Sequence, residues 1–161
     1  MPGIHHRSPG PVVAAFEDDR VSLELVLDGH HVDPQVAAVA FASAPGRVAL
    51  VTDAMAAAGG QDGAYRLGAL DVVVRDGLAT VAGTDTIAGS TLTQEVALGL
   101  AIDRLGLSRA DAVAAVTATP ARILGLGDRL GLLEPGYAAD VVALDDDCAV
   151  RAVYAAGLLA G

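Results

Sequence analysis

Two apolar runs in this chain end in groups that can move protons. Val48 to Val51 runs into Thr52 and Asp53, and Val21 to Leu27 runs into Asp28-Gly29-His30-His31. A carboxylate and an imidazole at the ends of neighbouring strands can work as a general acid and base. On pattern alone Asp53 has two readings. It is a turn or helix cap that binds backbone amides, or it is a general base or metal-associated carboxylate at the mouth of a barrel. Ala54 to Gly60 carries nothing that pairs with a charge, which favours the second reading and leaves room for a substrate or ion. His31 is either a hydrogen-bonded loop histidine or a substrate contact. His30 reads as packing or facing solvent, and Asp28 as orienting the loop.

Three other groups have weaker chemistry. His5 and His6 are adjacent, and adjacent histidines rarely hold one ion, so no metal site is expected there. Arg7 precedes Ser8-Pro9-Gly10 and a predicted helix, and it is either a solvated arginine or an anion contact assisted by the helix N-terminus. In "DTIAGSTLTQE", Gly89 permits close backbone approach, and Ser90 or Thr91 is expected to cap the next helix. That loop either does no more than this or lends its backbone to a pocket.

The elements that must position these residues alternate. Pro9 to Arg20 reads as a short helix and Val21 to Leu27 as a strand. Asp33 caps a helix with Pro34 in its first turn, running to about Ala42. Arg47 to Thr52 is a strand of the continuously apolar kind found in parallel sheets covered on both faces. Residues 64–82 contain strand-length runs around Arg75-Asp76-Gly77, a hairpin signal, and read as a β insertion. A long helix is predicted from Ser90 or Thr91 to about Leu105, and another from Ser108, with Asp111 in its first turn, to Pro120. Residues 139–144, 149–155 and 158–160 return to β. Strand–helix units followed by a β tail predict an α/β fold: part of a TIM-type (β/α)8 barrel with a small β appendage. Two or three barrel strands are present where a closed barrel has eight, so the chain reads as an open sheet or a piece of a larger fold.

Composition limits the partners. The 161 residues include 20 acidic and 10 basic ones, a net charge of −10, and every basic residue is Arg. Such a charge argues against nucleic acid. Hydrophobic residues make up 53%, yet no apolar run nears the roughly 18 residues of a membrane span. Cys148 is the only cysteine, which excludes an internal disulfide and makes a reducing cytoplasm the default. No signal peptide is read at the start of the chain.

The segments "HHRSPGPV", "DGHHVDP", "RVALVTDAMAAAG", "TIAGSTLTQEVAL", "TATPARILGL" and "GLLEPGYAADVVALD" together resemble the N-acetylglucosamine-6-phosphate deacetylase family of the amidohydrolase superfamily. They occur in the family's order over nearly the whole chain. The resemblance implies hydrolysis of an N-acetyl amino-sugar phosphate in amino-sugar catabolism, with Asp53 as catalytic proton donor and acceptor. It implies that His31 contacts the substrate near its N-acetyl group, with Asp28, Gly29 and His30 in the same binding segment. Arg7 then contacts the sugar phosphate, and Ile87, Ala88 and Gly89 line the substrate loop. It further implies a divalent ion, zinc or iron, and a homodimeric full-length enzyme.

The family's metal ligands, a glutamate and two histidines, have no match in this chain, so no residue here is expected to be a metal ligand. The expectation is a C-terminal portion, inactive alone: a partial barrel over residues 1–135 and strands of a small β-sandwich over 136–161. Two alternatives are another amidohydrolase, acting on a cyclic amide or N-acyl amino acid, and a non-catalytic fragment.

Overall fold

The computed structural model describes residues 3–160; Met1, Pro2 and Gly161, the outermost residues of the two expected domains, lie outside the described residues. The elements are α1 (Gly10–Glu17), β1 (Leu23–Val26), α2 (Pro34–Ser43), β2 (Val48–Val51), β3 (Gly63–Leu67), β4 (Leu70–Arg75), β5 (Leu78–Val81), α3 (Gln94–Asp103), α4 (Arg109–Val116), α5 (Ala118–Ile123), β6 (Val141–Leu144), β7 (Val150–Ala155) and β8 (Leu158–Leu159). This is the expected α/β content.

β1 and β2 pair in parallel, Leu23 opposite Val48 and Val26 opposite Val51. One parallel bridge, Ala54 with Ser90, carries the pairing on to the segment before α3. Both site-bearing loops therefore leave the same end of the same sheet. β3, β4 and β5 form an antiparallel sheet, and β6, β7 and β8 form another. At the β4–β5 turn Asp76 and Gly77 both have positive φ, 51° and 76°, as a two-residue turn matched to strand twist requires.

Two cores flank the site. In the first, Leu25, Leu27, Val48 and Leu50 of the parallel pair meet alanines of three helices: Ala37 and Ala40 of α2, Ala101 of α3, Ala112 and Ala115 of α4. Small side chains let helices lie close to the sheet, which is how a chain with 3% aromatics fills its interior. In the second core Met55 and Ala57, just past Asp53, pack on Val72, Val74, Ala79 and Ala88.

Several boundaries differ from those predicted. α1 stops at Glu17 rather than Arg20, because the Asp18 carboxylate accepts from the backbone and side chain of Arg20 and pulls the chain into a turn. The carbonyls left at the end of α1 accept from Arg47, which donates to Ala15 O, Phe16 O and Asp18 O, and also to Val21 O. Val21 thus belongs to the turn, and β1 begins at Leu23. α4 ends at Val116, not Pro120, and α5 continues through Pro120. Proline at the third position of α5 is tolerated because the first N–H groups of a helix have no intrahelical acceptor. α3 starts at Gln94, and its N-cap residue Thr93 makes no side-chain cap bond. Ser90 and Thr91 do not cap it, because their hydroxyls are engaged elsewhere.

Candidate active site

Asp28 lies two residues beyond β1, after the buried Leu27. One carboxylate oxygen, Oδ1, accepts the backbone N–H of His30 and of His31, both at 2.9 Å. The other, Oδ2, lies 2.8 Å from His31 Nδ1 and accepts the Ser90 hydroxyl at 2.7 Å. The Asp28 side chain is 9% exposed. That burial opposes ionisation and is the largest single influence on the carboxyl. The bonds from the His31 N–H, the Ser90 hydroxyl, the His30 N–H and the His31 ring together outweigh it and hold the group at about 2, below the ordinary 3.8. Gly29, at φ 78°, makes the tight turn that lets His30 and His31 fold back over Asp28.

Asp28 ties its own loop to Ser90 through these four contacts. His31, at 23% side-chain exposure, turns Nε2 towards Asp53 Oδ2 at 3.7 Å. An ionised carboxylate only accepts, so His31 Nδ1 carries a proton and Nε2 is the atom free to exchange one. His30 is exposed, and only its backbone N–H enters this network.

Asp53 is 59% exposed at its side chain and has φ 50°. A non-glycine residue held in the left-handed region is uncommon, and such residues cluster at functional sites. The conformation is fixed from the opposite loop: Ser90 N–H donates to Asp53 O at 2.8 Å, and Met55 N–H donates to Ser90 O at 2.9 Å. Gly89 makes this close approach possible. At φ 71°, a Cβ on it would sit 3.1 Å from Asp53 O and 3.2 Å from Met55 Cβ. Ala88 is buried in the second core, with its N–H bonded to Ala79 O, and Ile87 stays partly exposed beside it. The run after Asp53 has two uses: Ala54 and Ala56 are exposed, while Met55 and Ala57 turn inward to pack.

Arg7 is exposed in the turn from His5 to Ser8, with its N–H on His5 Nδ1. Among the described residues no hydrogen bond or ion pair joins it to the His31–Asp53 cluster. The rings of His5 and His6 lie 4.4 Å apart. An apolar cleft between α2 and α4, floored by Val48, opens at the start of β2, the end away from Asp53. Ligands of parallel α/β sheets bind at the other end.

Two residues that sequence reasoning missed matter here. Ser90 is buried and touches both site loops. Gln94 donates from Nε2 to Leu50 O at 2.9 Å, tying α3 to the strand that carries Asp53. A signal for Ser90 was available: Ser90 and Thr91 were two candidates for one cap.

The whole cluster lies inside residues 28–159, which match the model of the amidohydrolase family. The chain belongs to the amidohydrolase family. An Escherichia coli (strain K12) protein provisionally named N-acetylgalactosamine-6-phosphate deacetylase is 41% identical over 99% of this chain and 95% of its own length. An N-acetylglucosamine-6-phosphate deacetylase of Vibrio furnissii is 36% identical over 99% of this chain and 40% of its own. Among solved structures, N-acetyl-D-glucosamine-6-phosphate deacetylase of Mycobacterium smegmatis, in a D267A variant bound to N-acetyl-D-glucosamine-6-phosphate, has a TM-score of 0.89 and 48% identity; the match covers 99% of this chain and 42% of that one. The chain thus spans nearly all of one relative and about two fifths of the other two.

Amidohydrolases are generally metal-dependent. The described residues contain no group of three or more His, Cys, Asp or Glu able to hold an ion. His31 Nε2 and the Asp53 carboxylate lie 3.7 Å apart, and His31 Nδ1 is already given to Asp28. The residues described do not by themselves fit a resident metal centre.

Proposed function

We propose that this chain supplies the proton-transferring, sugar-facing part of an N-acetylglucosamine-6-phosphate deacetylase, which yields glucosamine 6-phosphate and acetate. The observation that carries this reading is the approach of His31 Nε2 to Asp53 Oδ2 at 3.7 Å, at the C-terminal ends of two adjacent parallel strands. Water adds to the acetamide carbonyl carbon while Asp53 takes its proton. The C–N bond then breaks as Asp53 returns that proton to the departing amine, which leaves poorly unless protonated. His31, held by Asp28, contacts the N-acetyl group; Gly29 and His30 complete that segment; Ile87, Ala88 and Gly89 line the opposite wall; Arg7 pairs with the phosphate. These donors do not complete a set for the family's zinc or iron, so the steps given are those of Asp53 and its neighbours alone.

The same reading takes residues 1–135 as a partial (β/α)8 barrel, with the β insertion near 64–82, and 136–161 as strands of a small β-sandwich. It includes a cytoplasmic, homodimeric full-length enzyme. A second reading is the C4 epimer as substrate, favoured by the name of the 41% identical relative.

Titrating isotope-labelled chain with N-acetylglucosamine 6-phosphate, its C4 epimer and unphosphorylated N-acetylglucosamine tests these readings. The His31 and Asp53 resonances should move with the first sugar phosphate and with at least about tenfold weaker affinity for the unphosphorylated sugar, the worth of one charge-assisted contact. Tighter binding of the epimer selects the second reading. Failure of every sugar to move either residue overturns both.

A further inference from the structure

Ser90 is 2% exposed, and each of its polar groups is committed. Its hydroxyl donates to Asp28 Oδ2 at 2.7 Å and accepts the Leu92 N–H at 3.1 Å. Its N–H and C=O clamp the backbone on either side of Ala54, holding the Asp53 carbonyl and the Met55 N–H just past the Asp53 side chain. Its side chain thus holds the loop that carries His31, and its backbone holds the loop that carries Asp53. We infer that Ser90 is a positioning residue, which acts through Asp28 to fix His31 as the Nδ1–H tautomer with Nε2 aimed at Asp53. This rests on the deacetylase reading only for its use in catalysis.

The chemistry follows from the donor count. Asp28 Oδ2 has room for two strong donors beside the two on Oδ1. With the Ser90 hydroxyl on one lone pair, the remaining one is directed at His31 Nδ1. The ring then has one orientation and one tautomer. Thr91, by contrast, spends its hydroxyl on Gly77 O in the β4–β5 turn and cannot substitute.

The test needs no substrate and no activity, so it stands apart from the sugar titration. In the unmodified chain, nitrogen NMR of His31 should show a protonated Nδ1, and the Ser90 hydroxyl proton should exchange slowly with water. Ser90→Ala should lower the Nδ1–H fraction of neutral His31 at least twofold, and Ser90→Thr, which keeps the hydroxyl, should restore it. Asp28→Asn should invert the tautomer, because the amide can donate to Nδ1. A residue that only packs would lower the melting temperature on replacement with alanine and leave the His31 nitrogens unmoved. That result overturns the inference. So does a Nε2–H tautomer or a fast-exchanging Ser90 hydroxyl in the unmodified chain, measurements that remain decisive if Ser90→Ala does not fold.

Discussion

Asp28 accepts from four donors with two oxygens, and this makes its charge part of the fold. Its carboxyl sits at about 2 in the folded chain against 3.8 as the ordinary value. A depressed carboxyl stabilises the fold fully above the unfolded value and loses that contribution as pH falls through the folded one. The difference corresponds to at most about 2.5 kcal/mol, less whatever solvent screening removes. Melting temperature measured from pH 5 down to pH 2 should therefore fall less steeply between 3.8 and 2 in Asp28→Asn than in the unmodified chain; parallel slopes would remove this role. Asp53 is the opposite case, its side chain exposed and its backbone held at φ 50° beside the Ser90 clamp. Asn tolerates the left-handed region and a β-branched residue does not. Asp53→Asn should melt within about 0.5 kcal/mol of the unmodified chain, and Asp53→Val should cost about 1–3 kcal/mol. Equal melts for the two variants would mean that the strain is not real.

At the scale of elements the site is a meeting of two loops over one sheet end, and Gly89 sets how closely they meet. Gly89→Ala puts a Cβ 3.1 Å from Asp53 O at a φ that alanine avoids, so the Ser90–Asp53 hydrogen bond must lengthen. The expected cost is about 1–2 kcal/mol, with Asp53 amide shifts that an added methyl group elsewhere in the loop does not produce. An unshifted Asp53 would mean that the loop absorbs the methyl group. Much of this arrangement is legible in the sequence because local chemistry decides it. Asp33 and Ser108 accept the cap bonds from Gln35 and Asp111, Asp76-Gly77 makes its turn, and the Val48–Val51 run is a strand buried on both faces. What stays illegible is set by partners distant in sequence. The Ser90 hydroxyl goes 62 residues back to Asp28 rather than to its own helix. Arg47 closes the end of α1 across about thirty residues. No local pattern distinguishes a serine that caps from one that bridges, and the expected cap at Ser90 or Thr91 failed for that reason.

At the scale of the molecule the surface is unfinished. β1 pairs only with β2 among the described strands, so its outer edge offers unpaired backbone groups. The β6–β8 sheet leaves Val142, Val153, Tyr154, Leu158 and Leu159 between 38% and 75% exposed. Apolar groups clustered on one small sheet are the usual mark of a surface that associates. A net charge of −10 opposes association through repulsion between copies, and salt weakens that repulsion over a Debye length of about 10 Å at 0.1 M. The two effects differ in their salt response, so they can be separated. The isolated chain should be oligomeric by size-exclusion chromatography with light scattering, and more so at 0.5 M salt than at 0.05 M. Replacing Leu158 and Leu159 together by glutamate should shift it towards monomer without lowering the melting temperature, because both side chains are already mostly in water. A monodisperse monomer at both salt concentrations, with a cooperative melt, would mean that the two cores suffice and that the exposed sheet is tolerated rather than waiting to be covered.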